Sequence, residues 1–140
     1  MRENHILIID DDLMLLKTAE EILSRQYNVS VAKSGIQALN LLNKNIIPDL
    51  ILLDIDMPQM DGYETLEEIK KIPRCELIPI IFLTGFSEMD YEVRGLKAGA
   101  VDYIVKPFAK EILLARVERH LERYQQRQHK KSMELSDYAK

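Results

Sequence analysis

Four short apolar runs in this chain each end in a residue that can handle charge. Ile6-Leu7-Ile8-Ile9 runs into Asp10-Asp11-Asp12, Leu50-Ile51-Leu52-Leu53 into Asp54, Ile80-Ile81-Phe82-Leu83 into Thr84, and Val101 to Val105 into Lys106. Carboxylates gathered at one place repel one another and coexist only with a cation. An all-oxygen set selects a hard ion, Mg²⁺ or Mn²⁺, over zinc, and three histidines and one cysteine scattered along the chain offer no zinc set. A Mg²⁺ that keeps several waters typically serves a phosphoryl group. A lysine and a hydroxyl on the same rim would bind that group's remaining oxygens, and a central aspartate such as Asp54 would be the nucleophile, forming an acyl phosphate. Taken singly, each residue has a plainer reading. Asp10 to Asp12 suit a helix N-cap and first turn, and Asp12, directly before Leu13, is assigned that role. Thr84 suits a strand by its β-branch, Tyr103 a half-buried strand position, and Lys106-Pro107 a turn. The set in its order along the chain is what carries the chemistry.

Those residues require strands whose carboxyl ends share one edge. Ile6 to Ile9 reads as a strand buried on both faces. Leu13 to Gln26 reads as a helix with Leu16, Ala19, Ile22 and Leu23 on one face, Val29 to Ala32 as a second strand, and Ile36 to Asn43 as a second helix. Leu50 to Leu53 is a third strand and Asp56 to Gly62 a loop by its Pro, Gly and acids. Tyr63 to Ile72 is a helix, Ile80 to Leu83 a fourth strand, Glu88 to Ala98 a polar helix and Val101 to Val105 a fifth strand. A long helix runs from Ala109 to at least Tyr124. Alternation of this kind gives an α/β fold, a doubly wound five-stranded parallel sheet with helices on both faces, and ligands of such sheets bind at the carboxyl ends of the strands. Residues 1–124 form one domain and 125–140 a C-terminal helical extension or linker remnant, because Gln125 to Lys131 has no apolar face.

Composition narrows the classes. The chain has 140 residues, 46% hydrophobic and 30% charged, with 5 Gly and 5 Pro, which excludes wholesale disorder and low complexity. No apolar run approaches the roughly 20 residues of a membrane span. Aspartates arrive by Asp10, so no signal peptide is visible, and the single Cys75 fits a reducing cytoplasm. Net charge is −4; residues 1–109 carry 11 Lys/Arg against 18 Asp/Glu, while residues 110–140 carry 8 against 5. The acidic body argues against direct nucleic-acid binding.

The segments Ile6 to Asp12, Leu52 to Gly62, Ile81 to Gly85 and Ala98 to Phe108 together resemble a response-regulator receiver domain of two-component signalling, over about residues 4 to 124. The resemblance implies the flavodoxin-like receiver fold with strand order 2-1-3-4-5. It implies that Asp54 accepts a phosphoryl group from a sensor histidine kinase or phosphotransfer protein. Asp11, Asp54 and the Asp56 carbonyl would ligate Mg²⁺, with Mn²⁺ as a substitute, and Asp10 would hold a metal-bound water. Lys106 would pair with a phosphoryl oxygen, its bond to Pro107 being cis. Thr84 and Tyr103 would be the switch pair, Gly85 would leave room for the phosphoryl group, and the output would be a rearranged surface on the fourth helix, fifth strand and fifth helix. A downstream protein or a second copy would read that surface. Asp56, an acid two positions after the acceptor, departs from the usual family pattern, and with the bulky Phe86 it bears on acyl-phosphate lifetime.

Other readings compete less well. Asp54-Ile55-Asp56 looks like the Asp-x-Asp of haloacid-dehalogenase-type phosphatases, but the acids that family places after its lysine are here on the first strand. A phosphorylation-independent interaction module would not require the full set of acceptor, acids and lysine. A nucleotide binder would want backbone donors and glycines where Asp10 to Leu13 stand. His5, His120 and His129 are read as surface or helix-face residues, Met57 and Met60 as loop packing, and Cys75 as part of a polar loop.

Overall fold

The computed structural model describes residues 4–85 and 98–138. Five strands, β1 (His5–Ile9), β2 (Asn28–Ala32), β3 (Leu50–Asp54), β4 (Ile80–Thr84) and β5 (Asp102–Val105), form one sheet in the order β2-β1-β3-β4-β5. Every neighbouring pair is parallel. Between the strands lie α1 (Leu13–Leu23), α2 (Gly35–Asn43) and α3 (Gly62–Lys70), a 3₁₀ turn (Pro73–Cys75), and after β5 a C-terminal helix (Lys110–Tyr138). The helix expected over Glu88 to Ala98, and Phe86, lie outside the described residues apart from Ala98, which is helical.

The strands form where they do because β-branched and leucine runs can be buried on both faces. Successive side chains point to opposite sides. Leu7, Ile9, Ile51, Leu53 and Phe82 pack with Ala38, Leu42, Leu66 and Ile69 under α2 and α3. Ile6, Ile8, Leu50, Leu52, Ile81 and Leu83 pack with Leu16, Ala19, Leu23, Leu113, Val117 and Leu121 under α1 and the C-terminal helix. Each fully buried side chain of this kind is worth about 1.5–3 kcal/mol of transfer free energy.

The helix starts follow their caps. Asp12 accepts from the Met14 and Leu15 amides at 3.0 and 3.3 Å, as its position before Leu13 predicts. Asp61 and Glu64 close a capping box on α3. Three expectations need correction. The first helix ends at Leu23 rather than Gln26, because the amides of Gln26 and Tyr27 both turn back onto the Leu23 carbonyl. Cys75 is not in a polar loop; the 3₁₀ turn tucks it into the core beneath α2 and α3. His120 is not a surface residue but is 3% exposed. The last helix continues past Tyr124 to Tyr138, as the helical-extension reading has it, and Gln125 to Lys130 are exposed.

Candidate functional site

The parallel register brings the chemistry together. Asp10 follows β1, Asp54 ends β3, Thr84 ends β4 and Lys106 follows β5, all at one edge. Asp54 pairs with Leu83 and Thr84 with Val105, so the three strand ends step outward by about a residue each. The Lys106 amide donates to the Thr84 carbonyl at 2.6 Å, and the Lys106–Pro107 bond is cis, as the resemblance implied.

Lys106 Nζ sits between two buried carboxylates. It lies 2.7 Å from Asp10 Oδ2 and donates to Asp54 Oδ1 at 2.9 Å. Asp10 Oδ1 accepts the Asp12 amide at 2.9 Å, and Asp54 Oδ1 also accepts the Asp56 amide at 3.3 Å. Burial pushes the Asp54 carboxyl up from an ordinary 3.8 to about 7; the neighbouring Asp10 charge adds to the rise and the Lys106 hydrogen bond opposes it. Burial works against the charge on Lys106, but the Asp10 and Asp54 carboxylates outweigh it and hold the ammonium above the ordinary lysine range.

One oxygen each from Asp10, Asp11 and Asp54 lies within 4.8 Å of the others. Three carboxylates against one ammonium leave two negative charges, which a divalent cation would balance. Asp10 Oδ2 is buried, and Lys106 at 2.7 Å is the one cation beside it among the described residues. An all-oxygen cluster with more carboxylates than ammonium groups fits a hard cation. Asp56 stands apart from the triad: its side chain is exposed, and its backbone borders the cluster through the bond to Asp54. Thr84 is buried at the rim. Among the described residues, a Cβ built on Gly85 meets nothing within 4 Å.

Tyr103 pairs with Phe82 in the sheet and is half-buried against the core on the α3 side. Its ring lies 5.9 Å from the Arg116 guanidinium.

Two features were missed in the sequence. Gly62 approaches the acceptor strand so closely that a Cβ there would lie 2.5 Å from the Asp54 carbonyl oxygen. The Gly62 amide also donates to the Ile55 carbonyl at 2.8 Å. The second feature is His120, whose Nε2 is 2.9 Å from Asp102 Oδ2. Its spacing of three after Val117 was the available signal.

Residues 6–118 match the family described as response regulator receiver domain. The chain is 44% identical over 117 residues to a probable cyclic di-GMP phosphodiesterase of Vibrio cholerae, covering 84% of this chain and 26% of that protein. It is 43% identical over 130 residues to the uncharacterized transcriptional regulatory protein YrkP of Bacillus subtilis, covering 92% of this chain and 54% of that one. The chain thus spans from a quarter to about half the length of these relatives. In structure it is similar to a putative response regulator from Chloroflexus aurantiacus, with a TM-score of 0.81, 34% identity, and coverage of 86% of this chain and 99% of that one.

Proposed function

The chain belongs to the response regulator receiver family, and from that premise we propose that Asp54 accepts a phosphoryl group from a phosphohistidine of a sensor kinase or phosphotransfer protein. The observation that supports this most directly is Lys106 Nζ held between Asp10 and Asp54, in a cluster of three carboxyl groups that one ammonium does not balance once all are ionised. An Asp54 oxygen attacks phosphorus, the O–P bond forms and the N–P bond breaks, and the imidazole nitrogen keeps the electron pair and takes a proton from solvent. Asp11, Asp54 and the Asp56 carbonyl would hold Mg²⁺, with Asp10 on a bound water; when bound, the ion neutralises the carboxylates and draws phosphoryl oxygens in. Lys106 balances charge on the transferred group. The Thr84 hydroxyl donates to it, and Tyr103 fills the space behind Thr84. Residues 1–124 form the receiver unit, and the helix beyond leads toward a downstream protein or output domain. A cytoplasmic location fits this reading, and among the described residues no helix is long and apolar enough to cross a membrane.

The test is intact mass after incubation with a small-molecule phosphodonor and Mg²⁺. A single adduct is expected, lost with a chelator; no adduct under any donor would contradict the reading. The same site makes metal binding pH-dependent. Carboxylates bind a cation only when ionised, so the rise in melting temperature caused by Mg²⁺ should grow from pH 5 to pH 8. An equal rise at both pH values would contradict a site built on Asp54.

An exposed apolar surface stands beside the rim. Leu13 is 58% and Met14 81% exposed, and Met14 lines a cavity of about 220 Å³ with Asp12, Leu15, Thr18, Pro107 and Phe108. Patches of this kind mark protein contacts. Met14→Glu is expected to slow phosphoryl transfer from a kinase that labels the parent about fivefold or more, the effect of losing a hot-spot contact worth over about 1 kcal/mol. Labelling by a small donor should be unchanged. Equal loss with both donors would place the effect in the site and not in docking.

A further inference from the structure

The C-terminal helix grips β5 through side chains that phosphoryl transfer does not use. Asp102 begins β5 and its carboxylate is shared. Oδ1 accepts the Tyr103 amide at 2.8 Å, and Oδ2 lies 2.9 Å from His120 Nε2. Arg116 Nη1 is 3.6 Å from Asp102 Oδ1, donates to the Tyr103 carbonyl, and stands over the Tyr103 ring. The amide and the carbonyl of Tyr103 are therefore both held by side chains, one from the residue before it and one from the helix. His120 is almost fully buried, and Asp102 is the partner of its Nε2.

A residue held at its amide, carbonyl and ring cannot move without changing some of those contacts. Arg116 is one turn before His120 on the same helix, so both contacts act on one rigid element. We propose that Asp102, Arg116 and His120 form an intrachain latch that passes movement of Tyr103 to the C-terminal helix. Through it, the state of Asp54 reaches residues up to Tyr138. The inference rests on the phosphoacceptor reading above. Arg116 and His120 are positioning residues: they touch neither Asp54 nor the metal-capable cluster.

The test is amide hydrogen exchange on the full chain, with and without Mg²⁺ and beryllofluoride as the phosphoryl mimic. The parent should show protection around residues 50–60 and changed exchange over residues 110–121. Arg116→Gln and His120→Leu should keep the response at residues 50–60, with beryllofluoride affinity within about twofold. Their response at residues 110–121 should shrink at least about fivefold, the low end of ordinary coupling between sites. His120→Gln, which keeps a donor, should restore it. If either Arg116→Gln or His120→Leu transmits the full response, the latch is overturned. It is equally overturned if a folded variant loses both responses together, which would mark a merely structural role. A parent that responds at residues 50–60 but not along the helix sinks the latch alone. A parent with no response at residues 50–60 sinks the phosphoacceptor reading and the latch with it.

Discussion

An Asp54→Asn variant is expected to form no phosphoryl adduct and, without metal, to be more stable than the parent at pH 8. The first effect is a loss of the nucleophile, since an amide oxygen does not form an acyl phosphate. The second follows from the charge balance of the cluster. Asp10, Asp11 and Asp54 face a single ammonium, and burial with the Asp10 charge raises Asp54 from 3.8 to about 7. A carboxyl raised on folding contributes stability below its unfolded value and loses it as pH climbs through its folded value. The metal-free parent should therefore weaken from pH 4 to about 7 as this group ionises. At about 1.4 kcal/mol per pH unit that displacement bounds the cost near 4 kcal/mol. The displacement already includes the opposing Lys106 contact, so the variant should gain stability at pH 8 up to that bound, within the range of about 1–4 kcal/mol for replacing buried charges. Denaturant midpoints in chelator at pH 5 and pH 8 check it: the parent should fall and the variant stay level. A variant less stable than the parent at pH 8 would contradict the charge balance.

Gly62→Ala is expected to damage both the fold and the site. The added Cβ would lie 2.5 Å from the Asp54 oxygen and 2.7 Å from the Ile55 Cα. Both are backbone atoms, which cannot rotate away as a flexible side chain can. Alanine favours a helix over glycine by up to about 1 kcal/mol, but overpacking costs about 1–3 kcal/mol and more against main chain. The clash wins, and a net loss of about 2 kcal/mol is expected by urea titration. Relief of the clash must shift either α3 or Asp54 itself. Small shifts at a reacting group are costly, so labelling by a small phosphodonor should slow about tenfold. Gly85→Ala is the control for stability, because a Cβ there meets none of the described residues within 4 Å; it should stay within about 0.5 kcal/mol of the parent. Parent-like stability and labelling in Gly62→Ala would show that α3 yields freely.

The sheet and its reactive edge were legible because they depend on local sequence. Ile6 to Ile9, Leu50 to Leu53 and Ile80 to Leu83 are too apolar to be anything but buried, and the polar residue ending each run marks where the chain leaves the core. Asp12 was legible as a cap because capping reaches only two or three residues. The features missed depend on contacts across space. Nothing near Gly62 in sequence says that Asp54 and Ile55 pass beneath it. Cys75 sits among Pro73, Arg74 and Glu76, and only the 3₁₀ turn shows which way it faces. His120 is buried on the helix that carries Leu113, Val117 and Leu121 inward, but among arginines and glutamates it read as a surface or helix-face residue. Its partner Asp102 lies in the strand read over Val101 to Val105, but nothing in the sequence pairs it with a helix residue eighteen positions on.

β5 is the last strand of the sheet on its side, and an open strand edge is where a foreign strand can add. Because Asp102 and Arg116 occupy the Tyr103 amide and carbonyl, sheet growth stops there without a proline or a bulge in the strand. The protection depends on one exposed-side arginine and one carboxylate. Variants lacking either, kept concentrated and warm, should therefore turn toward β-rich aggregates sooner than the parent, even where their stability is equal.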